Sequence, residues 1–348
     1  MRIAQVAPLY ESVPPKFYGG TERVVSYLTE ELVKQGHEVT LFASGDSVTK
    51  AHLISPCPKA LRLNDCMDSL VHHILMLEQV FQHAHEFDII HFHIDYIHLP
   101  LFRRCLTPFL STLHGRLDIK DIFPLYREFK EMPFVSISNA QRKPLSFINW
   151  VGTVYHGLPK DLYKFRARHG KYLAFLGRIS PEKRADRAIK IAEMAGMLLK
   201  IAAKVDKVDK EYFEIVIKPM LKSPYVEFIG EIGEKEKNEF LGNAYALLFP
   251  IDWPEPFGLV MIEAMACGTP VIAWRCGSVP EVIEDGVNGF IVESLEEAVK
   301  AIEKVKRLSR RRCRKIFEER FTSSRMARDY LYLYEKLLRE KEPLLKAV

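Results

Sequence analysis

Residues 249–274 read FPIDWPEPFGLVMIEAMACGTPVIAW. The apolar run Ala246–Phe249 reads as a buried strand that ends at Pro250, and Pro254 and Pro256 forbid a regular helix until Phe257-Gly258 opens one that runs to about Ala266. Pro270–Ala273 then reads as the next strand. A strand, a short covering helix and a second strand in that order predict a parallel α/β sheet with both faces buried.

The same pattern extends outward to both ends of the chain. In the first half the strand candidates are Arg2–Ala7, Glu38–Ala43, Asp88–His93, Phe109–His114, Phe134–Ile137 and Gly152–Tyr155. Between the first two, Gly20–Gln35 carries Val24, Leu28, Leu32 and Val33 near helical spacing, with Gly36 as its stop. A polar stretch, His156–Gly170, interrupts the series, which restarts with a strand at Tyr172–Leu176, a helix at Pro181–Ala195 and strands at Leu198–Ala203, Val226–Ile229 and Phe290–Val292. Two doubly wound domains follow, residues 1–165 and 166–322, with ligands expected in a cleft at the carboxyl ends of the strands. Residues 323–348 read as a charged helix with Tyr330, Leu333, Tyr334, Leu337 and Leu338 on one side.

Composition narrows the function. The 348 residues are 48% hydrophobic and 27% charged, which excludes a disordered chain and suits two domains. Apolar runs such as Tyr245–Pro250 are far shorter than the ~20 residues of a membrane span. The opening MRIAQVAPLY lacks an apolar leader pattern, and the six cysteines show no C-x-x-C pair, so a cytoplasmic, reduced chain is expected. Residues 301–348 hold 15 Lys and Arg against 7 Asp and Glu, an excess of +8, which leaves the rest of the chain at −3. With no zinc-finger, RNP or helix-turn-helix signature, no nucleic-acid partner is expected. The basic run Arg310–Lys315 is a candidate for peripheral contact with an anionic membrane, at the inner face, or else a solvated helix surface.

Three segments carry chemistry. Gly19-Gly20 stands at the mouth of a helix, where backbone can approach an anion, although the loop is not G-x-G-x-x-G. The N–H groups of Gly258, Leu259 and Val260 are free at the next helix start, as a phosphate or sugar-hydroxyl site requires. Glu255 and Glu263 flank that start and suit vicinal hydroxyls; Glu263, among Ile262, Ala264 and Met265, calls for a buried partner. Arg178 and Lys183, in GRISPEK, are placed to clamp a diphosphate. His91 and His93, with Asp95 and His98, have no diagnostic metal spacing and read as polar lining of a strand end rather than a metal site.

These residues resemble the family 4 retaining glycosyltransferases of the GT-B fold. The matching elements are Gly19-Gly20, Thr112-Leu113-His114-Gly115, SISNAQR at 136–142, GRISPEK at 177–183, EPFGLVMIE at 255–263 and ACGTPVIAWRCGSVPEVIEDGVNGFIV at 266–292. The resemblance implies two Rossmann-like domains facing across a cleft, the donor held mainly by the second, and a C-terminal helix that crosses back to the first. Carried over by position, Arg178 and Lys183 match the cations on the donor diphosphate, Glu255 the acid beside the transferred sugar and Glu263 the one on the nucleotide ribose. Phe257, Gly258, Leu259 and Val260 match the turn that contacts sugar and phosphate, Gly19 and Gly20 the loop over the phosphates, and His114 the histidine lining the sugar pocket. Trp274-Arg275-Cys276-Gly277 and Tyr155-His156-Gly157 depart from the family pattern.

The expected reaction is transfer of a hexose, glucose by family prevalence, from a nucleoside diphosphate sugar such as UDP-glucose to an acceptor hydroxyl, with retention. No D-x-D occurs to hold a divalent ion, so a metal-independent reaction with no cofactor is expected. The acceptor is expected from the N-terminal domain, especially Pro14–Tyr18, Asp95–His98 and Arg116–Arg127. A GT-B-type nucleotide-sugar 2-epimerase needs acid–base groups poised at the sugar ring, and a non-catalytic nucleotide-sugar-binding protein has no need of every cation and acid named here; both stand as alternatives.

Overall fold

The structure, a computed structural model, describes residues 1–16, 19–62 and 66–345, with side chains to residue 340. Phe17 and Tyr18 of the expected acceptor segment lie outside the described residues. The chain divides into two compact units, one of Met1–Pro159 with Ser323–Val348 and one of Lys160–Thr322.

In the first unit the strands are β1 (Arg2–Val6), β2 (Glu38–Phe42), β3 (His52–Ile54), β4 (Ile89–Phe92), β5 (Phe109–Thr112), β6 (Phe134–Ser136) and β7 (Trp150–Thr153). They form one parallel sheet in the order β3-β2-β1-β4-β5-β6-β7. β4 is buried at every residue, as a strand covered on both faces must be. The helix Gly20–Lys34 buries Val24, Val25, Leu28 and Leu32 on one stripe. The helix Ser323–Leu345 buries Met326, Ala327, Tyr330, Leu333 and Tyr334 and packs on the Gly20–Lys34 helix. It also approaches β7 so closely that a Cβ added to Gly152 would lie 2.7 Å from Leu333 Cδ1.

The second unit carries β8 (Tyr172–Arg178), β9 (Leu199–Lys204), β10 (Val226–Gly230), β11 (Ala244–Phe249), β12 (Val271–Trp274) and β13 (Gly289–Val292). These are parallel in the order β10-β9-β8-β11-β12-β13. In both sheets the first strand lies beside a strand that enters only after the chain has built one flank: β1 beside β4, and β8 beside β11. Those pairs are the topological switch points, where loops leave toward opposite flanks and a crevice opens at the carboxyl edge.

Three local readings need correction. β3 was not anticipated; three residues with polar flanks carry no pattern, and their pairing with β2 makes the strand. The helix expected from Pro181 begins at Ala185 instead. Pro181–Lys183 form a single 3₁₀ turn, and Arg184 interrupts it at φ +56°, pinned by hydrogen bonds to Asp186 (2.9 Å) and Asp252 (2.7 Å). The basic run is not one solvated surface. Arg310 is 3% exposed and donates to the carbonyls of Arg166, Ala244 and Gly242 and to Thr269 Oγ1 at 2.7–2.9 Å. Arg314 donates to the carbonyls of Lys160, Tyr163 and Ala266, so only Arg311, Arg312 and Lys315 are exposed.

Arg310 thus braces three backbone segments, alongside the bonds from Arg166 N to Cys267 O (3.0 Å) and from Thr269 Oγ1 to Leu241 O (2.7 Å). Replacing it, Arg310→Met, leaves buried carbonyls without donors and is expected to cost about 3 kcal/mol, at roughly 1–3 kcal/mol per orphaned group. Urea unfolding checks this: the midpoint falls with the slope unchanged, and an unaltered midpoint refutes the bracing role.

Candidate functional site

The second unit's switch point gathers the charged residues singled out in the sequence. Arg178 is the last residue of β8 and Lys183 closes the turn after it, while Glu255 stands in the loop after β11. Lys183 Nζ donates to Glu255 Oε2, and Trp253 Nε1 donates to the same oxygen at 2.8 Å. The Lys183 ammonium also lies 4.9 Å from the Trp253 ring centre and 5.9 Å from that of Phe249. A backbone bond from Asp252 N to Glu182 O (2.8 Å) ties the two loops directly. Arg178 reaches Glu182 at 2.6 Å, Asp209 at 3.5 Å and Asp206 at 3.7 Å. Both cations are therefore already held by carboxylates, and both remain partly accessible, at 29% for Arg178 and 16% for Lys183.

The loop that carries Glu255 has three prolines and few hydrogen bonds of its own, so its shape comes from a neighbouring segment. Ser278 N donates to Glu255 O (3.0 Å), Ser278 Oγ to Phe257 O (2.7 Å) and Cys276 Sγ to Trp253 O (2.9 Å). Gly277, at φ +54°, lies against the same backbone: a Cβ there would come within 2.4 Å of Glu255 N and 2.3 Å of Glu255 O. Cys276, Gly277 and Ser278, the first two within the stretch Trp274–Gly277 that departs from the family pattern, thus brace the Glu255 loop. Its signal in the sequence was the Gly277-Ser278 pair after a strand.

Gly258, at φ +79°, is the N-cap of the Leu259–Ala266 helix. In that geometry the N–H groups of Gly258, Leu259 and Val260 have no intrahelical partner. Phe257 is buried, edge-on to Phe321 at 6.1 Å. Glu263 is 3% exposed and its expected partner is Lys237, whose Nζ donates to Oε1 at 2.8 Å. Lys237, on the helix Glu234–Gly242, was not found from the sequence because nothing in that polar helix marks which lysine turns inward.

The other predicted residues belong to the first unit. Gly19 is extended and buried, and a Cβ on it would meet Pro15 Cβ at 2.8 Å, so a close chain approach explains this glycine; Gly20 begins the helix and is exposed. His114 follows β5. It is joined to a row of buried groups: His114 Nε2 to His93 Nδ1 at 2.9 Å, His93 Nε2 to Gln5 Oε1 at 2.8 Å, Gln5 Nε2 to Tyr334 Oη at 3.1 Å, Tyr334 Oη to His91 Nδ1 at 2.7 Å and His91 Nε2 to Thr112 Oγ1 at 2.7 Å. His156 stacks on His114 with ring centres 5.3 Å apart, and His98 Nε2 lies 2.6 Å from Ser111 Oγ. His91, His93 and His98 are at most 2% exposed, which replaces the reading of them as polar lining. Among the described residues no group of three or more His, Cys, Asp or Glu is placed to hold a metal ion.

Comparison with known proteins agrees with this architecture. The family model for glycosyl transferases group 1 matches residues 164–320, and that for Glycosyltransferase Family 4 matches residues 18–150. An uncharacterized glycosyltransferase of Methanocaldococcus jannaschii is 25% identical over 338 residues, which cover 84% of this chain and 85% of the relative. Among solved structures, AviGT4, a glycosyltransferase involved in avilamycin A biosynthesis, is 24% identical with a TM-score of 0.73, covering 97% of this chain and 98% of its own. HepE of Anabaena in complex with UDP-glucose is 18% identical with a TM-score of 0.71, covering 97% and 99%. Among the described residues no helix is long and apolar enough to cross a membrane.

Burial holds His98 and His114 down at about 3 and holds His91, His93 and His156 well below the ordinary imidazole range. An unfolded chain protonates these rings near 6.5, so between about pH 6.5 and pH 3 the unfolded state binds more protons and stability is lost as the pH falls. Each ring contributes a slope of up to about 1.4 kcal/mol per pH unit within that window. Urea midpoints measured at pH 7.5, 6 and 5 should decline in order; a flat series would mean that the rings charge while folded.

Proposed function

From the premise that the chain is a family 4 glycosyltransferase with the GT-B fold, we propose that it moves a hexose, glucose in the first instance, from a nucleoside diphosphate sugar to an acceptor hydroxyl with retention of configuration. The observation that carries this reading is the pairing, at one switch point, of two clamped cations with a helix N-terminus. Breaking the bond to a diphosphate leaves negative charge on the departing oxygens, and the largest electrostatic demand is to stabilise it. Arg178 and Lys183 supply that charge, and the N–H groups of Gly258, Leu259 and Val260 add oriented dipoles. Their present partners, Glu182 and Glu255, hold the two cations until the phosphates take their place.

Glu255, released from Lys183, accepts from hydroxyls of the transferred sugar, and Glu263 accepts from those of the ribose while Lys237 holds its Oε1 in place. Phe257 fixes the turn between them, Gly19 and Gly20 serve the phosphates, and His114 meets a sugar hydroxyl. Retention follows from a front-face route in which the leaving phosphate oxygen takes the acceptor proton, with no metal ion and no cofactor. UDP-glucose is favoured because HepE of Anabaena, which shares the fold, binds it. Peripheral membrane contact is proposed for the exposed Arg311, Arg312 and Lys315 alone; salt-sensitive sedimentation with anionic liposomes, lost on replacing all three by Gln, supports it, and salt-independent or absent sedimentation refutes it.

Purified protein incubated with UDP-glucose and an acceptor panel should form a glycoside whose anomeric configuration matches the donor. Arg178→Ala and Lys183→Ala are each expected to lower kcat by about 10²–10³-fold, the range for removing one group that stabilises developing charge, with circular dichroism unchanged. Donor turnover equal to wild type in either variant overturns the assignment.

A further inference from the structure

The row of buried groups that ends at His114 has a direction. Gln5, His93 and Tyr334 are at most 2% exposed, and the Gln5 amide presents Oε1 to His93 and Nε2 to Tyr334. An amide oxygen only accepts, so His93 Nε2 carries the hydrogen. A neutral imidazole with Nε2–H has a bare Nδ1, so His114 Nε2, 2.9 Å from that nitrogen, is the donor between the two rings. His114 Nδ1 is then bare as well, and it is buried with no hydrogen-bond partner among the described residues. On the far side of Gln5 the order continues unbroken: Gln5 donates to Tyr334, Tyr334 to His91 Nδ1 and His91 Nε2–H to Thr112. Every donor points away from His114. The His156 ring, stacked on His114 at 17° with ring centres 5.3 Å apart, packs against the His114 plane.

We propose that Gln5 and His93 are positioning residues that hold His114 as its Nε2–H tautomer, so that Nδ1 accepts a hydrogen bond from a ligand hydroxyl. The ligand is a hexose, and this part rests on the function proposed above. The opposite tautomer would present an N–H at the same point, toward which a hydroxyl acts only as acceptor. The polarity of the row therefore decides whether His114 accepts from or donates to that hydroxyl, in the way that a second hydrogen bond sets the tautomer of any functional histidine.

Nitrogen-15 spectra of the full-length protein with labelled histidine test the tautomer without reference to turnover, the His114 signals being assigned by their loss in His114→Gln. Expected is a protonated Nε2 and an unprotonated Nδ1 for His114; a protonated Nδ1 overturns the proposal. Adding UDP, UDP-glucose or a free hexoside then separates the parts. Movement of the Nδ1 signal with UDP-glucose but not UDP supports a donor-sugar hydroxyl, and movement with the hexoside alone supports an acceptor hydroxyl. An unprotonated Nδ1 that no sugar moves keeps the relay and refutes the sugar contact.

Turnover gives the second arm. His93→Leu removes the acceptor of His114 Nε2–H and should lower kcat/KM about tenfold, whereas His93→Gln, whose amide can accept from His114 and donate to Gln5, should recover to within about threefold. Equal losses in both variants mean that His93 only fills space and refute the positioning role.

Discussion

Two strands that are neighbours in a parallel sheet but feed opposite flanks cannot share a covering helix at their carboxyl ends, and the second unit depends on that constraint. β8 and β11 are such a pair. The turn after β8 carries Lys183 and the loop after β11 carries Glu255, so the ion pair between them closes the crevice that topology opens. Neither loop could form it in isolation. Three prolines deprive the Glu255 loop of regular hydrogen bonding, and its shape is imposed by Gly277 and Ser278, which leave β12 one strand further along.

The first unit solves a different problem at its own switch point. Gln5 on β1 and His91 on β4 are polar groups inside a sheet covered on both faces, where an unpaired amide or imidazole is costly. Gln5 is satisfied by His93 and by Tyr334 from the Ser323–Leu345 helix, and His91 by the same Tyr334 and by Thr112. The last helix of the chain therefore does more than cover apolar surface: its tyrosine completes a polar row at the centre of the unit. Burial keeps the imidazoles neutral, and neutrality is what makes the direction of each hydrogen bond definite.

Much of this was legible in the linear sequence. Twelve of the thirteen described strands were marked by short runs between turn residues, for the reason that parallel strands are buried on both faces and lose the alternation that would confuse them with surface strands. Glu263 announced that it needed a partner because its neighbours are apolar. Which residue would answer was not readable, since Lys237 lies on a polar helix whose inward face is set only by packing. The helix expected from Pro181 failed at Arg184 for a related reason: the left-handed residue there is held by Asp252, distant in sequence. Arg310 looked like one of a run of surface charges, and only the meeting of three carbonyls around it makes it internal.

The sequence by itself determined the alternation of strand and helix, the family to which the motifs belong and the chemical types at the candidate site, because these follow from local spacing and from residues adjacent in the chain. The tertiary structure alone decided the partners: Glu255 for Lys183, Lys237 for Glu263, and Gln5, His93 and Tyr334 for the row that ends at His114. Hydrogen bonds and ion pairs act over a few ångströms of space, and the packing of the last helix against the first unit's sheet brings together residues that are hundreds of positions apart along the chain, where no periodicity connects them.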